Sequence, residues 1–338
     1  MTPKRFQEIS SRYADLRIAV IGDFCLDRYL EIDPGRAEVS LETGLPVHNV
    51  MSVRAQPGGA GTILNNLSAL GLREILPVGF CGEDGEGWEL RRALELRTGV
   101  STDYFLQTDL RRTFTYCKPL LMVQGKPPIE LNRLDSKNWT PTPSVIEGQL
   151  IGAIEELAPS LNGIVVLDQV SLPDTGVVTS EVLKALGQIH RQRPQLPMLA
   201  DSRNRLAAFP NCDFKLNRSE FCAFAGLAEN STLEEIQDRA GSIAATQEQN
   251  VFVTLAEQGI LGATRHGAVT HVPALPLRGE IDIVGAGDAV TANLIAARCA
   301  GATLPEALEI ANAAASIVIH QLGTTGTATP AQIAGLLG

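Results

Sequence analysis

Between Ser144 and Val272 the chain alternates at short intervals between two kinds of segment, and this alternation restricts the fold more than any other feature. A helical stretch Ser144–Leu157 precedes the apolar run Gly163–Leu167, and Ser180–Arg191 leads to Met198–Asp201. Phe214-Lys-Leu-Asn217 is followed by a helix from Ser219, and Thr232–Thr246 leads to Asn250–Thr254. The runs are short and apolar throughout, the pattern of strands buried on both faces. Strands of that type separated by helices predict a mostly parallel sheet with helices on both sides. Arg17-Ile-Ala-Val-Ile-Gly-Asp23 reads as one more such strand, after a short amphipathic helix over residues 1–15. Leu261–Arg265 and Ala268–Val272 read as a hairpin, followed by two Ala-rich helices, Ala289–Ala300 and Leu304–His320.

Two stretches break the pattern. Residues 29–56 are rich in Pro, Gly and charge, and residues 113–135 alternate apolar and polar positions, as in Phe114-Thr-Tyr-Cys-Lys. Both predict short strands outside the main sheet, forming a small β lid. No internal repeat or low-complexity linker interrupts the chain, so one main domain over residues 1–338 is expected, with the lid inserted in it. A small sheet leaves exposed edges and one apolar face. A homodimer paired through the lid would cover both, with Val47, Val50, Phe114 and Leu131 between protomers.

A net charge of −10 argues against general binding to nucleic acid or anionic membranes. The longest apolar runs, such as Ile164–Leu167 and Ala311–Ile319, are too short or mixed to span a bilayer. Met1–Leu16 is polar and charged, so no secretory leader is expected. Six scattered cysteines form no C-x-x-C pair, which fits a reduced, cytoplasmic setting. His266 and His271 flank the expected hairpin and read as its rim, not as metal ligands.

The chemistry concentrates at a few strand ends. In Asp282-Ile-Val-Gly-Ala-Gly-Asp288, after a short strand-like run, Gly285, Ala286 and Gly287 leave backbone N–H groups open where a helix starts at Ala289. Such a turn, with the helix dipole behind it, makes an anion site. Asp288, at its lip, repels a phosphate but can take a proton from an attacking hydroxyl. A Gly-rich turn with an N-capping Asp is the competing reading. Asp23 and Asp27 lie just beyond a strand's carboxyl end, where ligands of open α/β sheets bind. Carboxylates accept hydrogen bonds from vicinal sugar hydroxyls, and a capped turn is the alternative. Gly58 and Gly59 allow close approach of backbone to a ligand, in a turn that leads into an amphipathic helix. Asn217 and Glu220, at a strand end and the first helical turn, offer oxygens to a hydrated Mg²⁺ or cap that helix. Thr254 and Gly259 lie in a turn after a strand, suited to phosphate or ribose. Asn312 sits on an Ala-rich helix whose small residues let a flat purine pack against it or simply allow tight helix packing. Neither G-x-x-x-x-G-K-[ST] nor a G-x-G-x-x-G after the first strand occurs.

The segment D-x-x-G-A-G-D resembles the C-terminal signature of the ribokinase-like (PfkB) carbohydrate kinases. Gly22 to Asp27, the Gly58–Gly59 turn, Lys215-x-Asn217-x-x-Glu220, and Val253 to Gly259 resemble the family's other motifs in order, from about Arg17 to Pro330. Within the family the chain is most similar to bacterial heptose-phosphate kinases. Gly22-Asp-x-x-Leu-Asp-Arg-Tyr29, Arg133-Leu-Asp135, Glu257-Gln-Gly259, Ala311-Asn-Ala-Ala-Ala315 and Leu322-Gly-Thr324 carry that likeness.

The resemblance implies a three-layer α/β/α fold with a mostly parallel sheet and a small β lid. It implies a kinase that transfers the γ-phosphoryl of ATP to a hydroxyl of a sugar or sugar phosphate, D-glycero-D-manno-heptose 7-phosphate among them. A kinase for another small alcohol, such as a hexose phosphate or nucleoside, and a non-catalytic sensor on the same fold are the alternatives. Asp288 would be the base, and the amides of Gly285, Ala286 and Gly287 the anion hole. Asp23, Asp27, Gly58, Gly59, Thr62, Asn66 and Asp168 would meet the acceptor. Lys215, Asn217, Thr254, Glu257, Gly259 and Asn312 would meet the nucleotide. Asn217 and Glu220 would hold Mg²⁺ through water, and Asp282 would serve a monovalent cation, K⁺. Departures are Thr62 in place of a side-chain amide, Val284 in place of Thr, and Gln169-Val-Ser in place of a Tyr-Gly-Lys-like stretch. The nucleotidyltransferase half of bifunctional relatives, with its H-x-G-H motif, is not expected in a chain that stops at Gly338.

Overall fold

The computed structural model of the protein describes residues 1–202, 205–210 and 212–337. Among these residues nine strands form one sheet, in the order Val269–Val272, Ile260–Ala263, Val251–Thr254, Asp213–Asn217, Met198–Ser202, Gly163–Asp168, Arg17–Gly22, Glu74–Gly82 and Phe105–Thr108. All neighbours are parallel except at one edge, where Ile260–Ala263 runs antiparallel to both Val251–Thr254 and Val269–Val272. Residues of one strand divide between two cores. Ile18 and Val20 belong to one apolar cluster, Ala19 and Ile21 to the other, so helices must cover both faces. The helices Ser144–Leu157 and Ser180–Gln192 lie where expected.

Some elements differ from expectation. The strand Glu74–Gly82, the helix Gly85–Glu95 and the strand Phe105–Thr108 had no clear periodicity to announce them. The helix after Gly59, Ala60–Ala69, is not amphipathic: Ala60 to Leu67 are all buried. It lies between the sheet and the helix Ala286–Cys299, which leaves it little free face. No strand precedes Asp282, because residues 273–284 carry no regular structure. The next helix begins at Ala286, with Gly285 as its cap, and not at Ala289.

The small sheet is present with wider bounds than expected. Leu134–Ser136, Phe114–Leu121, Phe24–Ile32 and Val50–Gly59 form it in that order, and Ile129–Glu130 also pairs with Phe114–Leu121. Its strand Phe24–Ile32 starts two residues after the central strand ends, so the two sheets share a junction at Asp23. Phe114 does not face a protomer interface. It is buried against Phe80, ring centroids 6.0 Å apart, because this end of the strand meets the main core. His271 lies on a hairpin strand as expected, its Nε2 2.6 Å from the Gln258 carbonyl. Among the described residues no helix is long and apolar enough to cross a membrane.

Candidate active site

The carboxyl ends of the main-sheet strands and the near face of the small sheet enclose a cleft of about 590 Å³. The Gly-rich turn forms part of its floor. Gly285 is left-handed at φ +84° and caps the helix Ala286–Cys299, which places Asp288 within the first helical turn and in the cleft. At Gly285 a Cβ would lie 3.1 Å from the Thr325 side chain, and at Gly287 one would lie 3.0 Å from the Lys215 ammonium. Small residues are required here for other side chains to come close.

Lys215 is buried and donates to Asp201 Oδ2 at 2.8 Å, an oxygen that also accepts from Thr291 Oγ1 at 3.3 Å. Burial alone would depress its ammonium pKa. Asp201, through charge and hydrogen bond, and then Asp288 and Glu220 outweigh burial and raise it. Lys215 thus offsets the charge of the carboxylates at the main-sheet end of the cleft. Asp201 was not singled out from sequence, and its only signal was a carboxylate at the end of a buried strand.

Asn217 and Glu220 form a reciprocal capping box. Asn217 Oδ1 accepts from the Glu220 N–H at 2.9 Å, and Glu220 Oε2 accepts from the Asn217 N–H at 2.7 Å. Glu220 nevertheless lines the cleft. Asp201, Glu220 and Asp288 act on a single ammonium, an excess of negative charge beside the Gly285–Gly287 turn. Among the described residues no three His, Cys, Asp or Glu side chains are grouped to ligate a metal directly. Oxygen donors such as the Glu220 carboxylate would suit a divalent cation that keeps several waters.

The opposite wall is basic. Lys118, Arg133 and Lys137 line it, with Asp27 and Asp135 between them. Lys118 lies 3.6 Å from Asp27 and Arg133 2.8 Å from Asp135, and the Arg133 and Lys137 cations sit 5.0 and 5.7 Å from the centre of the Tyr116 ring. Burial raises the Asp27 carboxyl pKa against the opposing pull of Lys118 and Arg133. A Cβ at Gly58 would lie 2.6 Å from Asp27 Oδ2, so that glycine makes room for the carboxylate, and Gly59 rather than Gly58 lines the cleft. The cleft is thus polarised, with carboxylates at the main-sheet end and cations along the small sheet.

Several expected contacts lie elsewhere. Asp23 does not line the cleft. Its oxygens accept from the N–H groups of Gln169, Val170 and Val177 at 2.8, 3.2 and 2.7 Å. Burial raises its carboxyl to about 6 despite those donors. Asp168 likewise turns away, paired with Arg205 at 3.2 Å and Ser202 at 2.8 Å. Asp23 fastens the loop 169–177 that walls the cleft, whereas Asp168 holds Arg205, which in turn lies 3.6 Å from Asp174 of that loop. Thr62 lines the cleft, but Asn66 is fully buried and ties the Thr62 and Gly326 carbonyls together at 3.0 and 3.4 Å.

Thr254, Glu257, Gly259 and Asn312 lie outside the cleft, farther along the sheet edge, where Thr254 pairs with Asn217. Gly259, at φ +93°, packs under the backbone of Val272 to Ala274, and Asn312 donates to the Pro273 carbonyl at 2.9 Å. These two shape the loop after the hairpin. Asp282 accepts from the N–H of Val284 at 3.0 Å and of Gly323 at 3.2 Å, joining the Gly-rich turn to the loop that follows the last long helix.

Residues 16–332 match the pattern described as "pfkB family carbohydrate kinase". The "Bifunctional protein HldE" of Trichlorobacter lovleyi is 31% identical over 342 residues, covering 98% of this chain and 65% of the relative. That of Geobacter metallireducens is 30% identical over 343 residues, covering 100% and 66%. The chain thus spans about two thirds of the length of these curated relatives. Among solved structures, Arabidopsis thaliana ribokinase complexed with ribose and ATP superposes with a TM-score of 0.69 at 20% identity, covering 95% of this chain and 98% of that one. Phosphofructokinase-2 from Escherichia coli in complex with substrates and products gives 0.73 at 17% identity, covering 95% and 98%. These likenesses establish the ribokinase-like fold.

Proposed function

We propose that this chain, which belongs to the pfkB family of carbohydrate kinases, transfers the γ-phosphoryl of ATP to a hydroxyl of a sugar that already carries a phosphate. The chain is a sugar kinase; the proposal concerns its acceptor. The polarised cleft carries it. One end holds Asp288 on a helix N-terminus, and the other presents Lys118, Arg133 and Lys137, cations matched to a phosphate at the far end of the acceptor. A heptose 7-phosphate would fit this reading, as the resemblance to the HldE proteins implies.

In this reading Asp27 and the backbone at Gly59 orient the acceptor. Asp288 takes the proton of the reacting hydroxyl, whose oxygen attacks the γ-phosphorus as the bond to the ADP oxygen breaks. The amides at Gly285–Gly287 face the charge that develops. Lys215 keeps Asp288 and Glu220 from repelling the polyphosphate. Glu220, with Asn217, would hold a hydrated Mg²⁺, which supplies charge neutralisation on the phosphates. Asp282 would steady the Gly-rich turn beside a K⁺, a role tested by replacing K⁺ with Na⁺. Thr254, Glu257, Gly259 and Asn312 would frame the nucleotide's far end. The small sheet would act as lid and as the pairing face of a homodimer, through the exposed Val50, Met51 and Val53. A cytoplasmic setting supplies the ATP.

The test is ADP release with matched pairs of free sugars and their phosphates. Turnover with the phosphorylated member supports the reading. Turnover only with free sugars sinks the assigned role of the basic wall.

A further inference from the structure

We infer that Trp139 is a preorganised stacking platform for the acceptor, a specificity residue that selects sugars offering a continuous C–H face. The inference rests on the kinase reading above. Trp139 lines the cleft and is 70% exposed, although a large indole ordinarily gains by burial. Among the described residues no other ring and no cation lies over it, in contrast to Trp88, which has Arg92 5.1 Å from its ring centre.

The fold holds the backbone around this indole from both sides. On one side, Asn138 accepts from the Arg112 N–H at 3.2 Å and donates to the Arg112 carbonyl at 2.9 Å. On the other, the buried Arg111 donates to Thr140 Oγ1 at 2.9 Å, to the Thr140 carbonyl at 3.0 Å and to the Pro141 carbonyl. Thr142 then bonds the cleft-wall loop. Its N–H donates to the Asp174 carbonyl and its hydroxyl to the Gly176 carbonyl, both at 2.7 Å. That loop carries Leu172, 43% exposed and also in the cleft. A charged side chain removed from water needs its hydrogen bonds, and here they go to the turn that carries Trp139. An exposed indole whose backbone is held on both sides, in a cleft that also presents Leu172 and Val170, is suited to the one apolar feature of a sugar, the face of its ring C–H bonds.

The test uses the Trp88→Phe protein, which leaves Trp139 as the only one of the two tryptophans to emit. Its emission is titrated with heptose 7-phosphate, fructose 6-phosphate, mannose 6-phosphate and ribose, and separately with ATP. We expect a change with whichever sugar supports ADP release, and none with ATP alone. In the full-length protein, Trp139→Ala should raise the sugar KM by about 10–100-fold, with the ATP KM within about twofold. Trp139→Phe should recover most of the loss, and it keeps the test alive if the alanine variant folds poorly. Turnover with unchanged emission and an unchanged sugar KM in both variants overturns the inference and leaves the kinase reading intact. Emission that responds only to protein dilution assigns the indole to contact with a second copy and also overturns it. Absence of both turnover and emission change with every sugar overturns both readings.

Discussion

Replacing Lys215 with Met should destabilise the protein in a pH-dependent way, and the size of the effect follows from the geometry. The ammonium lies 2.8 Å from Asp201 Oδ2, and the two residues are 6% and 8% exposed. At an effective dielectric of 20, that separation corresponds to a gross attraction of about 6 kcal/mol. Removing the ammonium also removes its own desolvation penalty, which offsets part of the loss. Asp201 stays buried without its cation, so a net cost of about 3–5 kcal/mol is expected near pH 8. Met fills nearly the volume of the lysine stem, so little of this comes from a cavity.

The sign in pH separates charge from packing. The Lys215 ammonium is raised in the folded state, so its stabilisation is present below the free-lysine value of 10.5 and is lost as pH rises through the folded one. In the variant no ammonium is present to titrate, so the deficit measures the contribution of the Lys215 ammonium at each pH. The deficit should therefore hold across neutral pH and shrink as pH rises above 10.5. Urea unfolding at several pH values, with Asp201→Asn and the double variant completing a cycle, measures this. A deficit under about 1 kcal/mol, or one that does not change with pH, would refute the pairing as the source of the stability.

Asp288→Asn should leave ATP affinity nearly intact by calorimetry and lower kcat by about 10²–10⁴, the range for a lost general base. Glu220→Gln should raise the Mg²⁺ concentration needed for half-maximal rate, since it removes charge from the cation's surroundings; an identical Mg²⁺ titration would leave Glu220 as a helix cap alone. Gly287→Ala places a methyl 3.0 Å from a lysine already fixed by Asp201, and should lower stability by about 1–3 kcal/mol in thermal melts. Sedimentation at micromolar concentration should show a dimer, and Val53→Lys on the exposed edge strand should shift it toward monomer.

The sequence disclosed what is local and left open what is distant. Gly163–Asp168 and Met198–Ser202 were legible because strands buried on both faces show unbroken apolar runs. Glu74–Gly82 was not, because Pro77 and Gly79 interrupt its run while its place in the sheet keeps it extended. The turn at Gly285–Gly287 was legible as a turn that opens a helix, but the helix starts earlier than composition implied, because a left-handed Gly285 can itself serve as the cap. The capping box of Asn217 and Glu220 was legible as one of two readings, and the box is formed, with Glu220 also lining the cleft.

Asp23 and Asp27 show where local reading ends. Both are carboxylates near the end of one strand, and spacing alone gave them the same role. The N–H groups that Asp23 accepts come from residues 146 to 154 positions away, and nothing near Asp23 announces them. Asp27 instead lies beside Gly58 on the neighbouring strand, where the missing Cβ leaves space for its oxygens. The same arrangement recurs at Gly287 and Lys215. At both ends of the cleft a charged side chain closes on a glycine of another element, so the glycines of the motifs provide room for a neighbour's charge as well as for a ligand. A lysine on one wall and a carboxylate on the other thereby lie close to the backbone, where a side chain in place of either glycine would displace them.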